Sequence, residues 1–218
     1  MRKLNRPLAP SCLQSLKISS PTSWNLSEQD KELIWQSLNA MQNFFCVYCE
    51  GAFIDKKCHI EHLVPRHILK KIKGRSIYEW DNLFGSCDNK EHCGRYKDDV
   101  VTDYDPQNLI KPDIEDSSLY LSFSPTGYVQ GKSDLDESDS KKACETIRVL
   151  NLDSPRLRNL RAKKIAEYQM QYIAIVELIQ SSLDNPEDTK YLGEQMADLK
   201  NAIVNDEYYT AVIQNTLG

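Results

Sequence analysis

Apolar residues recur at helical spacing through the C-terminal third of the chain. Ser154 and Pro155 have the residue types of an N-cap and a first helical position, so they predict a helix from Pro155 to about Ser182. Asn185 and Pro186 predict a second helix to about residue 204, and a last helix follows from Asn205. The apolar face of this region serves either its own core or a partner, and the pattern allows both.

Earlier segments show shorter patterns. Ser27 and Asp30 resemble a capping box and predict a helix over residues 28–42. Residues 44–49, 52–54 and 59–65 indicate short extended pieces, and a helix is expected to start near Cys93. Residues 119–123 alternate, 124–127 supply a turn and 128–130 return, which predicts a hairpin before an exposed loop at 131–140. Residues 1–27 are rich in proline and serine and predict an extended arm that docks on the body or on a partner.

Charge is unevenly distributed. The 218-residue chain has a net charge of −5, which argues against a globally basic nucleic-acid-binding protein. Residues 56–97 nevertheless carry ten Lys/Arg against five Asp/Glu, and residues 113–139 carry seven acids and one lysine. No segment has the roughly 20 apolar residues of a membrane span, and no apolar stretch follows the basic N-terminus. We therefore expect a cytoplasmic protein without membrane contact.

Cysteine and histidine residues cluster in one segment. Five of the seven cysteines and all four histidines lie within residues 46–93. A reducing cytosol disfavours a disulfide framework, so the cluster indicates metal binding. Cys46-x-x-Cys49 and Cys87-x5-Cys93 predict a closed tetrahedral zinc site, with buried free thiols as the alternative.

The segment Glu61-His62-Leu63-Val64-Pro65 lies between the two cysteine pairs. Neighbouring side chains on a strand point to opposite faces, so Glu61 can hold a cation while His62 faces a substrate. Histidine titrates near neutral pH and can accept a proton from water. A Glu-His pair alone is weak evidence, but the flanking cysteines and Asn82 favour a catalytic site.

Together, Cys46/Cys49, the Glu61–Pro65 segment, Asn82-Leu83, Cys87/Cys93 and Lys97 resemble the zinc-stabilised HNH endonucleases over residues 44–100. The resemblance implies an α+β fold: a small ββα-metal module embedded in a mostly α-helical chain. The expected segments are an arm (1–27), a leading helix (28–43), the HNH module (44–112), an acidic hairpin and loop segment (113–142), and a helical region for partner docking (143–218).

A narrower resemblance is to the HNH effectors of retron and Septu antiphage systems. It is carried by residues 78–83 before Ser86-Cys87, by Cys93-Gly94-x-x-Lys97-Asp98, and by residues 146–152 followed by Leu157 and Arg161. Effectors of this type act beside an ABC/SMC-like ATPase and, in retrons, beside a reverse transcriptase with its RNA–DNA hybrid. The resemblance therefore implies these partners and a nucleic-acid substrate.

The family resemblance also implies roles for individual residues. His62 is the general base, Glu61 is a ligand of a catalytic Mg²⁺ or Mn²⁺ ion, and Asn82 orients the His62 loop. The family places a His or Asn ligand after the last cysteine, where this chain has Gly94. The candidates for the missing ligand are Asp98, His92 and His59, and His92 has a zinc-neighbour role as its alternative.

Basic residues near the module are the expected phosphate contacts. They are Arg66, Lys70, Lys71, Lys73, Arg75, Arg95 and Lys97. The principal alternative to a nuclease is a non-catalytic zinc module that binds nucleic acid or a partner protein, and Gly94 favours that alternative.

Overall fold

The computed structural model describes residues 1–19, 23–53, 57–182 and 185–217, and has the expected α+β composition. Its helices are α1 (Ser11–Ser19), α2 (Glu28–Gln42), α3 (Arg66–Leu69), α4 (Cys93–Asp99), α5 (Glu137–Val149), α6 (Pro155–Ser181), α7 (Pro186–Val204) and α8 (Tyr209–Thr216). Its strands are β1 (Cys58–His62), β2 (Leu83–Cys87), β3 (Leu121–Phe123) and β4 (Val129–Gly131).

Strands β1 and β2 and helix α4 form a ββα unit. The strands are antiparallel, with Cys58 opposite Cys87 and His62 opposite Leu83. Helix α2 covers β2, where the Gln42 amide donates to the Gly85 carbonyl at 2.8 Å and accepts from the Gly85 amide at 2.7 Å. These two hydrogen bonds join the middle of β2 to the end of α2, more than 40 residues earlier in the chain.

Local capping explains why α2, α6 and α7 begin as predicted. The Ser27 hydroxyl and Asp30 form both halves of a capping box. Ser154 accepts from the Leu157 amide before Pro155, and Asn185 accepts from the first amides of α7. The predicted helix near Cys93 is confirmed as α4.

The expectation of an extended arm over residues 1–27 is wrong in part, because residues 11–19 form α1. Pro10 precedes this helix, where proline does not interrupt its hydrogen bonds, and Leu13 is the buried residue of the helix. The residues before α1 dock on the body of the protein. The Leu4 amide donates to the Pro112 carbonyl at 2.9 Å, and the Arg6 guanidinium donates to the Trp80 carbonyl at 2.6 Å.

The predicted hairpin is confirmed as β3 and β4. The exposed loop expected at 131–140 is too long, because Asp136 caps α5 and accepts from the Asp139 amide at 2.8 Å. The expected boundary between residues 142 and 143 consequently falls inside α5. The return strand expected at 52–54 is reduced to one bridge between Phe45 and Ala52, and Ile54 lies outside the described residues. Residues 67–80 contain only the single helical turn of α3 before loop structure.

The C-terminal helices mainly complete the protein's own core. Leu157, Ile165 and Tyr168 of α6 are buried, whereas Met170 is 68% exposed. Helix α8 packs beside β3, where the Gln214 side chain bonds both the Phe123 amide and the Leu121 carbonyl at 3.0 Å. Among the described helices, none has the length and apolarity to cross a bilayer.

Candidate active site

The four predicted zinc ligands converge. The sulfur atoms of Cys46, Cys49, Cys87 and Cys93 all lie within 4.8 Å of one another, and those of Cys49 and Cys87 are 4.0 Å apart. Tetrahedral zinc with bonds of about 2.3 Å requires sulfur separations of about 3.8 Å. The cluster therefore fits a structural metal ion such as zinc, although 37 residues separate the two cysteine pairs.

Backbone contacts hold the two cysteine pairs together. The Cys46–Cys49 turn is attached to β2 by a 3.0 Å bond from the Val47 amide to the Gly85 carbonyl. Cys93 has a left-handed backbone with φ of 64°, and its amide donates to the Leu150 carbonyl at 2.8 Å. The end of α5 therefore fixes the last sulfur ligand.

His92 belongs to the cysteine cluster. Its Nδ1 atom lies 3.1 Å from the Cys93 sulfur and 3.8 Å from the Cys87 sulfur, and the side chain is buried. This position matches the zinc-neighbour alternative, so His92 is not favoured as a ligand beside Glu61.

Glu61 is a buried carboxylate held by three side chains. Its Oε1 atom lies 3.0 Å from Lys97 Nζ and 3.3 Å from the Tyr48 hydroxyl, and its Oε2 atom lies 3.1 Å from His59 Nε2. Burial alone would raise the pKa of Glu61, but the charge of Lys97 and the bond to His59 lower it to about 2. Glu61 is thus an anion throughout the neutral range.

Gly94 allows α4 to approach this carboxylate. A Cβ atom at position 94 would lie 2.5 Å from Glu61 Oε2 and 3.0 Å from His59 Nε2. The imidazole of His59 and the carboxylate of Glu61 therefore occupy the space that a side chain at position 94 would need. The structure brings the predicted ligands Glu61 and His59 together.

Asp98 is placed differently. It contacts Lys97 Nζ through a short ion pair, and burial followed by the charge of Glu61 raises its pKa. Among the described residues, the cysteines are the only group of three or more potential ligands whose atoms converge. Asp98 borders the same cleft as His59 and Glu61, but its carboxylate does not converge with their ligand atoms on one point.

His62 is held in one orientation by a backbone carbonyl. Its Nε2 atom lies 2.8 Å from the Ile77 carbonyl oxygen, which can only accept, so Nε2 carries the proton. In the neutral ring the other nitrogen, Nδ1, is unprotonated and can accept a hydrogen bond or a proton. Burial lowers the pKa of His62 to about 4, which keeps the ring neutral at physiological pH. The indole of Trp24 packs edge-to-face against it, with ring centroids 4.5 Å apart.

Asn82 clamps the chain just after His62. Its Oδ1 atom accepts from the Val64 amide at 2.8 Å, and its Nδ2 atom donates to the Val64 carbonyl at 2.9 Å. This paired amide contact fixes the loop between β1 and α3. The Asn82 side chain thus contacts the backbone two residues after His62.

The predicted phosphate-binding residues differ in their exposure. Lys97 was expected to contact phosphate, and this expectation is wrong because the side chain is 0% exposed. Its ammonium group neutralises Glu61 and Asp98 and donates to the His62 carbonyl. Arg66 and Arg95 border the cleft at Glu61 and His62, and Arg95 is paired with Asp88 at 2.5 Å. The remaining residues are exposed around α3 and the loop after it, and are Lys70, Lys71, Lys73 and Arg75.

A cleft of about 340 Å³ opens over His59, Glu61 and His62. Trp24 and Trp35 also border it, and sequence reasoning missed both. Trp24 lies in the segment predicted as an arm, and the helical pattern places Trp35 only on the apolar side of α2. Each tryptophan reaches the site through a contact with residues that are distant in sequence, Trp24 with His62 and Trp35 with Gly85, and no local sequence pattern predicts such contacts.

No protein-family model matches the sequence. The chain is 24% identical over 158 residues to a protein of Vibrio cholerae serotype O1 biovar El Tor that is named, provisionally, as the HNH endonuclease of retron Vc95. The match covers 69% of this chain and 74% of the relative. This similarity supports a nuclease assignment and agrees with the resemblance carried by Glu61-His62, Asn82 and the four cysteines.

Proposed function

We propose that this protein is a metal-dependent HNH-type endonuclease that hydrolyses phosphodiester bonds of nucleic acid. The observation that carries the proposal is the pairing of an oriented neutral imidazole with a buried anionic carboxylate on one strand. The Nε2 proton of His62 is committed to Ile77, while Glu61 one residue earlier is held by Lys97. The ββα arrangement of β1, β2 and α4 supports the same assignment.

In the proposed reaction, His62 is the general base. Nδ1 removes a proton from a water molecule, the water oxygen forms a bond to phosphorus, the bond from phosphorus to the leaving oxygen breaks, and the leaving oxygen takes up a proton from solvent. The Ile77 carbonyl stabilises the imidazolium that results, because it already accepts the Nε2 proton. Asn82 acts as a positioning residue by holding Val64, two residues after His62.

Glu61 and His59 are the proposed protein ligands of a divalent cation. Their Oε2 and Nε2 atoms lie 3.1 Å apart beside the cleft; the Glu61 carboxylate suits Mg²⁺ or Mn²⁺, whereas the His59 imidazole is a donor that favours transition-metal ions over Mg²⁺. Asp98 is a further candidate on the cleft wall. When bound, such an ion supplies charge stabilisation to the phosphate oxygens. Two protein ligands leave room for water and phosphate, as Mg²⁺ prefers.

A specific observation favours the alternative of a non-catalytic zinc module. Both oxygens of Glu61 already have protein partners, Lys97 and Tyr48 on one and His59 on the other. A carboxylate satisfied in this way can be purely structural. The alternative predicts nucleic-acid or protein binding without turnover.

We further propose that the protein is an antiphage effector that works in an assembly with an ATPase subunit and, in a retron, with a reverse transcriptase and its RNA–DNA hybrid. The name of the Vibrio cholerae relative supports a retron setting. The exposed apolar side chains Met170, Ile173 and Leu178 on α6 are available for such docking. We expect weak nuclease activity from the isolated chain and stronger activity from the assembly.

The direct test is cleavage of DNA and RNA by the chain purified alone and with the products of its neighbouring genes. Omission of divalent cations should stop cleavage, and addition of Mg²⁺ or Mn²⁺ should restore it while the zinc content stays constant. Cleavage that persists without added cations would contradict the metal requirement. Binding of nucleic acid without cleavage under every condition would support the zinc-module alternative.

A further inference from the structure

Two tryptophans border the cleft that contains the proposed catalytic groups. Trp24 and Trp35 lie beside His62 and Glu61, and both indoles are partly exposed. The third tryptophan, Trp80, is buried elsewhere and packs against Arg6. Two of the three tryptophans therefore border the cleft.

Trp24 is fixed in place by a buried tyrosine. The Tyr78 hydroxyl donates to the Ser23 carbonyl at 2.5 Å and accepts from the Asn25 amide at 3.1 Å. The Tyr78 ring also stacks on Trp24, with centroids 5.1 Å apart and an angle of 25° between planes. Contacts on both sides of Trp24 thus hold its indole against His62 as a rigid wall of the cleft.

Trp35 lies on the surface of β2. A Cβ atom at Gly85 would come within 2.9 Å of its Cζ3 atom, so glycine at that position allows the indole to lie against the strand. Phe53 supports its edge, with ring centroids 5.6 Å apart at 82°. The second indole is therefore also held in position by the fold.

The groups proposed to act on the phosphate are recessed below these indoles. His62 is 6% exposed and Glu61 is 1% exposed. A base-paired duplex presents its phosphates on a broad rigid surface, which reaches such recessed groups poorly. A single strand can turn one nucleotide into a narrow cleft and stack its base on an aromatic ring.

Three basic side chains border the same cleft. Lys31, Arg66 and Arg95 border the cleft together with the indoles. Within the described parts of the chain, Arg66 takes part in no ion pair, which leaves its guanidinium available to a phosphate. Aromatic rings interleaved with basic side chains are the arrangement by which proteins bind unpaired nucleotides.

We infer that the cleft binds single-stranded nucleic acid, with an unpaired base stacked on Trp24 next to the scissile phosphate and Trp35 bordering the same cleft. This inference rests on the proposed function and specifies its substrate class. The aromatic platform selects unpaired bases, while the basic residues attract the backbone of any nucleic acid.

The test is a binding titration of the full chain without added divalent cations, monitored by tryptophan fluorescence. The probes are single-stranded DNA, single-stranded RNA, a DNA duplex of the same sequence, and inorganic polyphosphate. We expect single strands to quench the fluorescence and to bind on the order of tenfold more tightly than the duplex. Polyphosphate should bind without quenching, because it carries charge and no bases. The DNA and RNA arms identify which single strand is preferred.

Two substitutions at one position separate stacking from general apolar contact. Trp24→Phe keeps an aromatic face and should bind single strands within about threefold of the unaltered chain. Trp24→Leu keeps apolar volume and should bind them on the order of tenfold more weakly, with duplex binding unchanged. Circular dichroism and zinc content check that both variants are folded.

Equal affinity for duplex and single strand, or an unaffected Trp24→Leu variant, would overturn the inference. This failure is distinguishable from failure of the proposed function, because the titration does not depend on cleavage. Metal-dependent cleavage of a preferred duplex would leave the nuclease proposal intact and remove the single-strand inference. Tight single-strand binding without cleavage would do the reverse.

Discussion

A Cβ atom at Gly94 would lie 2.5 Å from Oε2 of Glu61, so α4 approaches this carboxylate more closely than a larger residue permits. The carboxylate cannot easily move away, because Lys97 and His59 hold it from two sides. Gly94 stands at the position where HNH endonucleases, which the sequence resembles, carry a metal ligand, and here it has a packing role because His59 and Glu61 fill the space.

Gly94→Ala should accordingly destabilise the protein by about 1–3 kcal/mol through overpacking. Gly193→Ala is the matched control, since a Cβ atom there meets nothing within 4 Å and lies in the helix α7. The control should gain about 0.5–1 kcal/mol from helix propensity. Urea unfolding of both variants measures the difference, and equal effects would contradict the close packing at Glu61.

Acid should destabilise the fold through His62. Burial lowers the folded-state pKa of His62 from 6.5 to about 4, so the unfolded chain takes up the proton first as the pH falls. The stability contribution is complete above pH 6.5 and is lost between about pH 6.5 and 4. The loss is on the order of 3 kcal/mol.

His62→Gln tests this, because glutamine does not titrate and can still donate to Ile77. Unfolding free energies at pH 7, 5 and 4 should fall less for the variant than for the original chain. Acid also releases metal from the cysteine cluster, but this affects both proteins, so the difference between them carries the result. Identical pH profiles would show that His62 is not buried in its neutral form.

Loss of one cysteine ligand should remove the structural metal. Cys46→Ser should lower zinc content from about one ion per chain toward zero and reduce soluble yield, because metal binding supplies folding energy. Cys144→Ser is the control, since Cys144 is exposed on α5. Elemental analysis and thermal melting provide the measurements. A Cys46→Ser protein with full zinc content would refute the four-cysteine site.

Asn82→Asp should slow cleavage without weakening substrate binding. The variant keeps an oxygen for the Val64 amide but sets a carboxylate against the Val64 carbonyl, which shifts the loop that follows His62. A displacement of about 1 Å at a catalytic group can cost about a hundredfold in rate. We expect a kcat reduced about 10- to 100-fold and an unchanged KM, whereas Asn201→Asp, at an exposed position of α7, should leave both constants unchanged. A raised KM with normal kcat would assign Asn82 to substrate binding instead.

Local signals predicted the helices that begin at Glu28, Pro155 and Pro186, because caps and prolines act within a few residues. The cysteine cluster was also predictable, since two pairs of thiolate ligands in one segment are typical of a zinc site. Burial of Lys97 was not, because its partner Glu61 is 36 positions away and the sequence alone shows a lysine in a basic stretch. The contact between Trp24 and His62 is equally long-range, so the sequence does not reveal the cleft wall.

Whether His62 is the base of a nuclease is tested most directly by measuring cleavage by His62→Ala in the presence of Mg²⁺. His67→Ala is the matched control, because His67 is an exposed histidine five residues further along the chain. We expect cleavage by His62→Ala to fall at least about a hundredfold with zinc content and folding retained, and His67→Ala to cut normally. Undiminished cleavage by the folded His62→Ala protein would contradict the proposed mechanism.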